Sequence, residues 1–138
     1  MPNIDSYLMF DGTCAEAMRF YEKTLGGKLE MMTQADAPPS EHAPPGSGDR
    51  ILHARLVVDG RMLMASDWMA GQAYPGMSGF AISLVYATVP EGKKVFDALA
   101  QGGQVTMPFG KTFWVEGFGM VTDRFGTPWM VNGGKPSA

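Results

Sequence analysis

The chain has 138 residues, a formal net charge of -3 and a pI near 5.2, one domain's worth of sequence and enough to bury a core unaided. The weak acidity and the lack of any Lys/Arg run argue against a nucleic-acid surface, and no apolar run is long enough to span a bilayer. A single Cys excludes an internal disulfide and fits a reducing cytoplasm, and the opening MPNIDSYLMF lacks the regions of a secretory signal. In chain order, residues 6 to 10 (SYLMF) read as a strand that Asp11-Gly12 breaks. Thr13-Cys14-Ala15-Glu16 then has capping-box spacing, with Thr13 accepting from an orphan amide and Glu16 reaching back. The helix it opens runs to about Leu25, places Cys14, Ala17, Phe20 and Tyr21 on one face, and stops at Gly26-Gly27. Lys28 to Thr33 is a second strand.

Residues 34–50 contain four Pro and two Gly with no apolar period, the composition of a surface loop carrying a solvated His42. Ile51 to Asp67 follows as a hairpin around Val58-Asp59-Gly60-Arg61. A Gly- and Met-containing connection, Trp68 to Gly79, leads to a strand at Ala81 to Tyr86. A second capping box, Thr88-Val89-Pro90-Glu91, opens a helix with Val95, Phe96 and Leu99 on one face, ending at Gly102-Gly103. The last long run, Thr112 to Asn132, is a second hairpin around Asp123-Arg124-Phe125-Gly126.

The halves repeat. An offset of 76 carries Leu8, Met9 and Phe10 onto Leu84, Val85 and Tyr86, Phe20 onto Phe96, and Gly26-Gly27 onto Gly102-Gly103. Past the Pro-rich loop an offset of 66 carries Gly60 onto Gly126, Leu63 onto Trp129 and Met64 onto Met130. Each half is then strand, helix and three strands, too small to bury its own sheet face. The expected organisation is one domain of two modules, 4–67 and 80–133, with the 34–50 loop inside the first.

Strand alternation sorts the side chains. If Asp59-Gly60 is a two-residue turn, Val58 pairs with Arg61, Val57 with Met62, Arg55 with Met64 and His53 with Ser66. Leu52, Ala54, Leu56 and Val58 then face a helix, and His53, Arg55 and Val57 share the other face with Met62, Met64 and Ser66. The 66-residue offset adds Gly119, Val121, Met130 and Asn132 to that second face. A face of Met with one His and one Arg suits a ligand cleft, although twelve Met also serve as core filler.

The ordered series FYxxxLGG, HARL, LMASD, ISL, ALAQGG, MPFGKTFW and FGMVxDxFGxPWMVN resembles the PhnB-like branch of the vicinal oxygen chelate (glyoxalase / bleomycin resistance / extradiol dioxygenase) superfamily, over roughly residues 4 to 133. The resemblance implies an α+β fold of two tandem βαβββ modules, forming an open, curved sheet around a cleft, and usually a homodimer. Some members of the branch are labelled demethylubiquinone methyltransferases, but this chain has no glycine-rich strand-to-helix loop to hold S-adenosylmethionine. The superfamily's metal ligands, normally His or Glu, fall here on Ser6 or Tyr7, Met64, Ser83 and Met130. Hydroxyl and thioether are poor ligands for the usual divalent ions, so no metal or other cofactor is expected.

Cleft-lining positions are Tyr7, Met9, Met62, Met64, Ser66, Ser83, Val85, Trp114, Glu116, Val121, Met130 and Asn132. His53 is the catalytic candidate, as a general base or an anion-holding group; it can equally order the hairpin by bonding Ser66. Arg55 can clamp an anion or form a structural pair with Glu30 or Glu116. Trp129 reads as core, Asp67 and Asp123 as turn caps, and Cys14 as small packing. The function expected is metal-free binding of a small molecule by a cytoplasmic homodimer, with no nucleic-acid or membrane partner. The alternative is a metal-dependent lyase, isomerase or dioxygenase acting on a small carbonyl or enol substrate through other ligands, for instance His53 with Glu116.

Overall fold

The structure is a computed structural model that describes residues 2–36 and 48–136; the expected solvated His42 and most of the Pro-rich loop lie outside those residues. The elements are β1 (Ser6–Phe10), α1 (Cys14–Leu25), β2 (Lys28–Thr33), a 3-10 turn (Gln34–Asp36), β3 (Ile51–Val58), β4 (Arg61–Asp67), β5 (Ile82–Tyr86), α2 (Val89–Ala100), β6 (Gln104–Gly110), β7 (Val115–Thr122) and β8 (Pro128–Pro136). They fall into two compact units, Met1–Gly76 and Met77–Ala138. Each unit is one βαβββ module with a four-stranded mixed sheet, ordered β1-β4-β3-β2 in the first and β5-β8-β7-β6 in the second. The first strand of each module lies parallel to the last, and the other pairs are antiparallel.

In the first module Leu8 and Phe10 of β1, Ala54 and Leu56 of β3, and Leu63 and Ala65 of β4 are buried on the side covered by α1. The helix answers with Cys14, Ala17, Met18 and Tyr21. Tyr21, rather than Phe20, is its fully buried ring, with Phe20 packed on it at 5.8 Å between centroids. The β3–β4 hairpin closes through Asp59 (φ 48) and Gly60 (φ 76), the pair of left-handed residues a two-residue turn needs. The pairs Val58↔Arg61, Val57↔Met62 and Arg55↔Met64 form as expected.

Leu52 departs from the expected parity. The register slips between Met32↔His53 and Thr33↔Ile51, so Leu52 is the extra residue of a bulge. It is exposed while Ile51 is buried. The capping of α1 also differs. Thr13 makes no side-chain cap bond; Asp67, from the end of β4, accepts instead from the Gly12 and Cys14 amides at 2.9 and 3.0 Å and from the Ile51 amide at 2.8 Å. One carboxylate thus ties the start of the helix to the start of β3. In α2 the local box does form in part: Thr88 Oγ1 accepts from the Glu91 amide at 3.3 Å and donates to Glu91 Oε1 at 2.8 Å.

The second module packs more tightly. A Cβ on Gly119 would stand 2.7 Å from the Phe96 ring of α2, and one on Gly133 would stand 2.8 Å from the Thr88 carbonyl oxygen. These two glycines therefore set how near the helix comes to β7 and β8. Phe96 and Phe109 fill the space at 5.5 Å between centroids. Asp123, 3 % exposed, clamps the β7–β8 turn. It accepts from the Phe125 and Thr127 amides at 2.9 and 3.1 Å and from Trp129 Nε1 at 2.8 Å. Trp129 is core, as its parity implied, and Asp123 caps its turn, whereas Asp67 serves the start of α1 and of β3 rather than a turn.

Candidate functional site

The unburied face of the first sheet is laid out in rows across the strands. One row is formed by the pairing Tyr7↔Met64, Met64↔Arg55 and Arg55↔Glu30. Next to it Met9 pairs with Ser66, and His53 pairs with Met32. On the other side Met62 pairs with Val57 and Val57 with Lys28. Strand alternation puts every one of these side chains opposite the α1 face. Tyr7, Met9, His53, Arg55, Met62, Met64 and Ser66, chosen from the sequence, are therefore brought together on one surface. Met32 and Lys28 join them from β2, a strand whose pairing partner the sequence alone did not fix.

His53 is met by Tyr7, which reaches over from β1 to place its hydroxyl 3.4 Å from Nδ1, with the rings 5.9 Å apart. The expected bond from His53 to Ser66 does not form. Ser66 Oγ instead donates to Met9 Sδ at 3.3 Å, which folds the thioether over the hydroxyl and leaves Ser66 buried. Arg55 Nη2 donates to Glu30 Oε2. That hydrogen bond, reinforced by the guanidinium charge, holds the Glu30 carboxyl below its usual range. Arg55 is thus committed to Glu30, within its own sheet. Tyr7, Met9, Met32 and Val57 remain exposed, an unusual amount of large apolar side chain for one sheet face.

The second sheet has a matching face of different chemistry. Ser83 pairs with Met130 and Val85 with Asn132, while Met120 pairs with Met130 and Phe118 with Asn132. Asn132 Nδ2 donates to the Leu84 carbonyl at 3.2 Å. Trp114 stands edge-on to Phe118 at 5.3 Å and to the exposed Phe113 at 4.8 Å. Glu116 Oε1 accepts from the Lys135 amide at 2.7 Å, so its carboxylate is used within its module.

Val121 is a correction. It pairs with Trp129, and Gly119 with Val131; Gly119 points at Phe96 of α2, and Val121 shares its parity and is 1 % exposed. Both therefore belong to the core side. The cause is the turn. Asp123 donates its amide to the Thr127 carbonyl, so three residues close this hairpin where two close the first, and the offset in β7 falls one short of that in β8. A one-residue slip moves a whole strand's side chains to the opposite face. Met120 and Phe118 stand where Gly119 and Val121 were expected; the turn residues Asp123 and Thr127 were the signal that could have found them.

At the superfamily's ligand positions Tyr7 lies beside Met64, and Ser83 beside Met130. Phenol, hydroxyl and thioether do not suit a hard or borderline divalent ion. Among the described residues no three His, Cys, Asp or Glu side chains come together.

The chain matches the Glyoxalase/Bleomycin resistance protein/Dioxygenase superfamily over residues 3–131. Protein YjdN of Escherichia coli (strain K12) is 39% identical over 139 residues, covering 94% of this chain and 93% of that protein. The crystal structure of protein PA1353 from Pseudomonas aeruginosa is 47% identical, covers 96% of this chain and 97% of its own, and gives a TM-score of 0.89. The PhnB protein from Bacillus cereus, 26% identical, covers 95% of this chain and 98% of its own at a TM-score of 0.76. No helix among the described residues is long and apolar enough to cross a membrane. With both βαβββ modules formed and the match spanning nearly all of them, the chain belongs to the glyoxalase/bleomycin resistance protein/dioxygenase superfamily, in its PhnB-like branch.

Proposed function

We propose that this protein binds a small molecule on the unburied sheet faces of its modules and does so without a catalytic metal. The observation that carries the reading is the first sheet's face. Its exposed thioethers and Tyr7 surround one imidazole, and its Arg55 is paired with Glu30. A solvated face would carry more charge and less Met. The residues of the second face, Ser83, Val85, Trp114, Met130 and Asn132, extend the same reading, with Met120 and Phe118 added and Val121 removed. His53 is the residue to which proton transfer on a carbonyl or enol substrate would fall; Arg55, held by Glu30, acts on charge only if that pair opens.

A thermal-shift screen of chemically diverse small molecules tests the binding. At least one class raises the melting temperature in the wild type and does so less in Met64→Ala; no stabilising class at all contradicts the reading. Metal analysis of protein purified without chelator addresses the other half. Well under one equivalent of any transition metal is expected, and a stoichiometric ion that activates turnover contradicts it. The reading includes a cytoplasmic homodimer, which sedimentation at twice the 14.9 kDa chain mass would support and sedimentation as a monomer would oppose.

A further inference from the structure

We propose that Met9 is an oxidative modification site: peroxide converts its thioether to one sulfoxide epimer, and the oxygen so added stands on the open face of the first sheet. The modification itself needs no ligand. Its consequence for binding rests on the binding reading above.

The Met9 sulfur is held in place. Met9 pairs with Ser66 across β1 and β4, its carbonyl accepts the Tyr74 hydroxyl, and its Sδ accepts the Ser66 hydroxyl at 3.3 Å. Leu8 and Phe10, on either side of it in the chain, are buried, so alternation keeps the Met9 side chain on the open face. Met9 is 38 % exposed and Ser66 is 8 % exposed. The short, buried serine therefore meets the sulfur from the sheet side, and solvent meets it from the other.

A thioether sulfur has two lone pairs and accepts hydrogen bonds only weakly. In Met9 one pair is directed at Ser66 Oγ, and the other is left for an oxidant on the side away from the sheet. Hydrogen peroxide reacts there. The free pair attacks one peroxide oxygen, the O–O bond breaks, and hydroxide leaves. The proton on the transferred oxygen passes to that hydroxide, giving water and a sulfoxide; sulfur loses two electrons and the peroxide gains them. Attack on the other pair has to give up the serine bond and approach through the sheet. Oxygen is therefore added mainly on one side of a sulfur that becomes a chiral centre.

The change replaces an apolar side chain by a polar one. Met9 lies outside the core beneath α1, so the new oxygen alters the open face and leaves the core packing alone. An apolar part of a ligand lying on Met9 would then cover an acceptor without a partner, which opposes binding. Met18, fully buried, is protected from oxidant, and the exposed Met32 and Met69 mark ordinary surface oxidation.

The test treats the full chain with hydrogen peroxide until Met32 and Met69 are oxidised. The digested peptides are divided between the two epimer-specific methionine sulfoxide reductases, supplied with a dithiol, and read by mass spectrometry. Chain unfolded in urea and oxidised alike sets the unbiased mixture. Folded wild type should give one Met9 epimer in about two- to tenfold excess, the range expected from one hydrogen bond, with Met18 still reduced. Ser66→Ala should bring that excess down toward the unfolded mixture. An unbiased Met9 mixture in the folded chain, an excess that Ser66→Ala leaves intact, or a Met9 that stays reduced while Met32 and Met69 oxidise overturns the assignment. For binding, the compound that best stabilises the protein in the thermal-shift screen should lose about fivefold or more in affinity on oxidation, and Met9→Leu should remove most of that loss. Unchanged affinity overturns the effect on binding and leaves the modification site and the binding reading in place. An epimer excess together with failure of the whole screen supports the modification site and overturns the binding reading alone.

Discussion

The two modules solve the same junctions with different chemistry. Phe10↔Asp67 in the first and Tyr86↔Gly133 in the second are equivalent places in the two sheets. In the first, a carboxylate stands there and gathers three backbone amides, because Thr13 leaves the helix uncapped. In the second, Thr88 caps its own helix, and a glycine stands there so that the helix can come down onto β8. The hairpin tips differ as well. Asp59-Gly60 holds by backbone conformation alone, whereas the three-residue tip of the second hairpin hangs on the buried Asp123. The second module is thus braced by close packing and one buried carboxylate. The first has a polar brace at its edge and carries His53, Arg55 and Glu30 on its open face. Duplication conserved the path of the chain and let each copy find its own way to satisfy backbone donors.

The comparison can be broken at the tips, where the largest effect is expected. Asp123→Ala removes the carboxylate that accepts from two amides and an indole N–H and should cost about 3–5 kcal/mol, read by urea denaturation. Asp59→Gly in the other tip should cost nothing measurable, since the backbone there is already left-handed. Comparable losses at both tips would show that the contrast is wrong.

The junctions come next. Gly133→Ala forces a methyl against the Thr88 carbonyl and the Val89 backbone, neither of which is a flexible chain end, and should cost about 1–3 kcal/mol. Asp67→Ala should cost about 2 kcal/mol through loss of charge-assisted bonds to backbone, and its loss should be partly restored by Asp67→Asn. A tolerated alanine at position 133 would mean that the helix is not seated on that glycine.

A smaller effect sharpens the account of Asp67. Burial first, and the Asp67 charge second, push the Cys14 thiol from 9.0 up to about 12. The folded pKa lies above the unfolded one, so this neutral thiol contributes fully below pH 9.0 and its contribution is lost as pH rises toward about 12. Cys14→Ala should therefore flatten the alkaline fall in stability, and native protein should resist thiol reagents near neutral pH. Rapid native labelling would contradict the buried environment.

The smallest effect belongs to the exposed Glu30–Arg55 pair. Glu30 has a lowered folded pKa, so whatever the pair adds is present above 4.5 and disappears as pH falls through the folded value. Glu30→Gln should leave the melting temperature at neutral pH unchanged and remove only a slight acid-side slope. Its main consequence should be functional, since it frees Arg55: affinity for anionic ligands rises while the fold does not weaken.

Most of the architecture was legible in the sequence because it is written locally. The paired glycines after each helix, the Asp59-Gly60 tip and the apolar faces of α2 and β4 each follow from short-range rules. What could not be read depended on partners distant in the chain. Asp67 caps a helix more than fifty residues earlier, which no capping-box spacing records. Leu52 leaves the core only because β2 pairs with a slip. Val121 was placed on the wrong face because the second tip carries one more residue than the first, and strand parity amplifies a single residue into a complete inversion. On the first face His53, Met64 and Ser66 followed from alternation along the hairpin, whereas the contacts they make did not: Tyr7 rather than Ser66 meets His53, and Ser66 turns to Met9.

The most direct test of the central claim uses the methionines as reporters. With methyl-labelled methionine, the compound that best stabilises the protein in the thermal-shift screen is titrated while the methyl resonances are followed. The account predicts saturable shifts at Met9, Met32 and Met64 on the open face of the first sheet, with Met18, on the buried side of α1, unmoved. Binding that leaves Met9, Met32 and Met64 unchanged would contradict it.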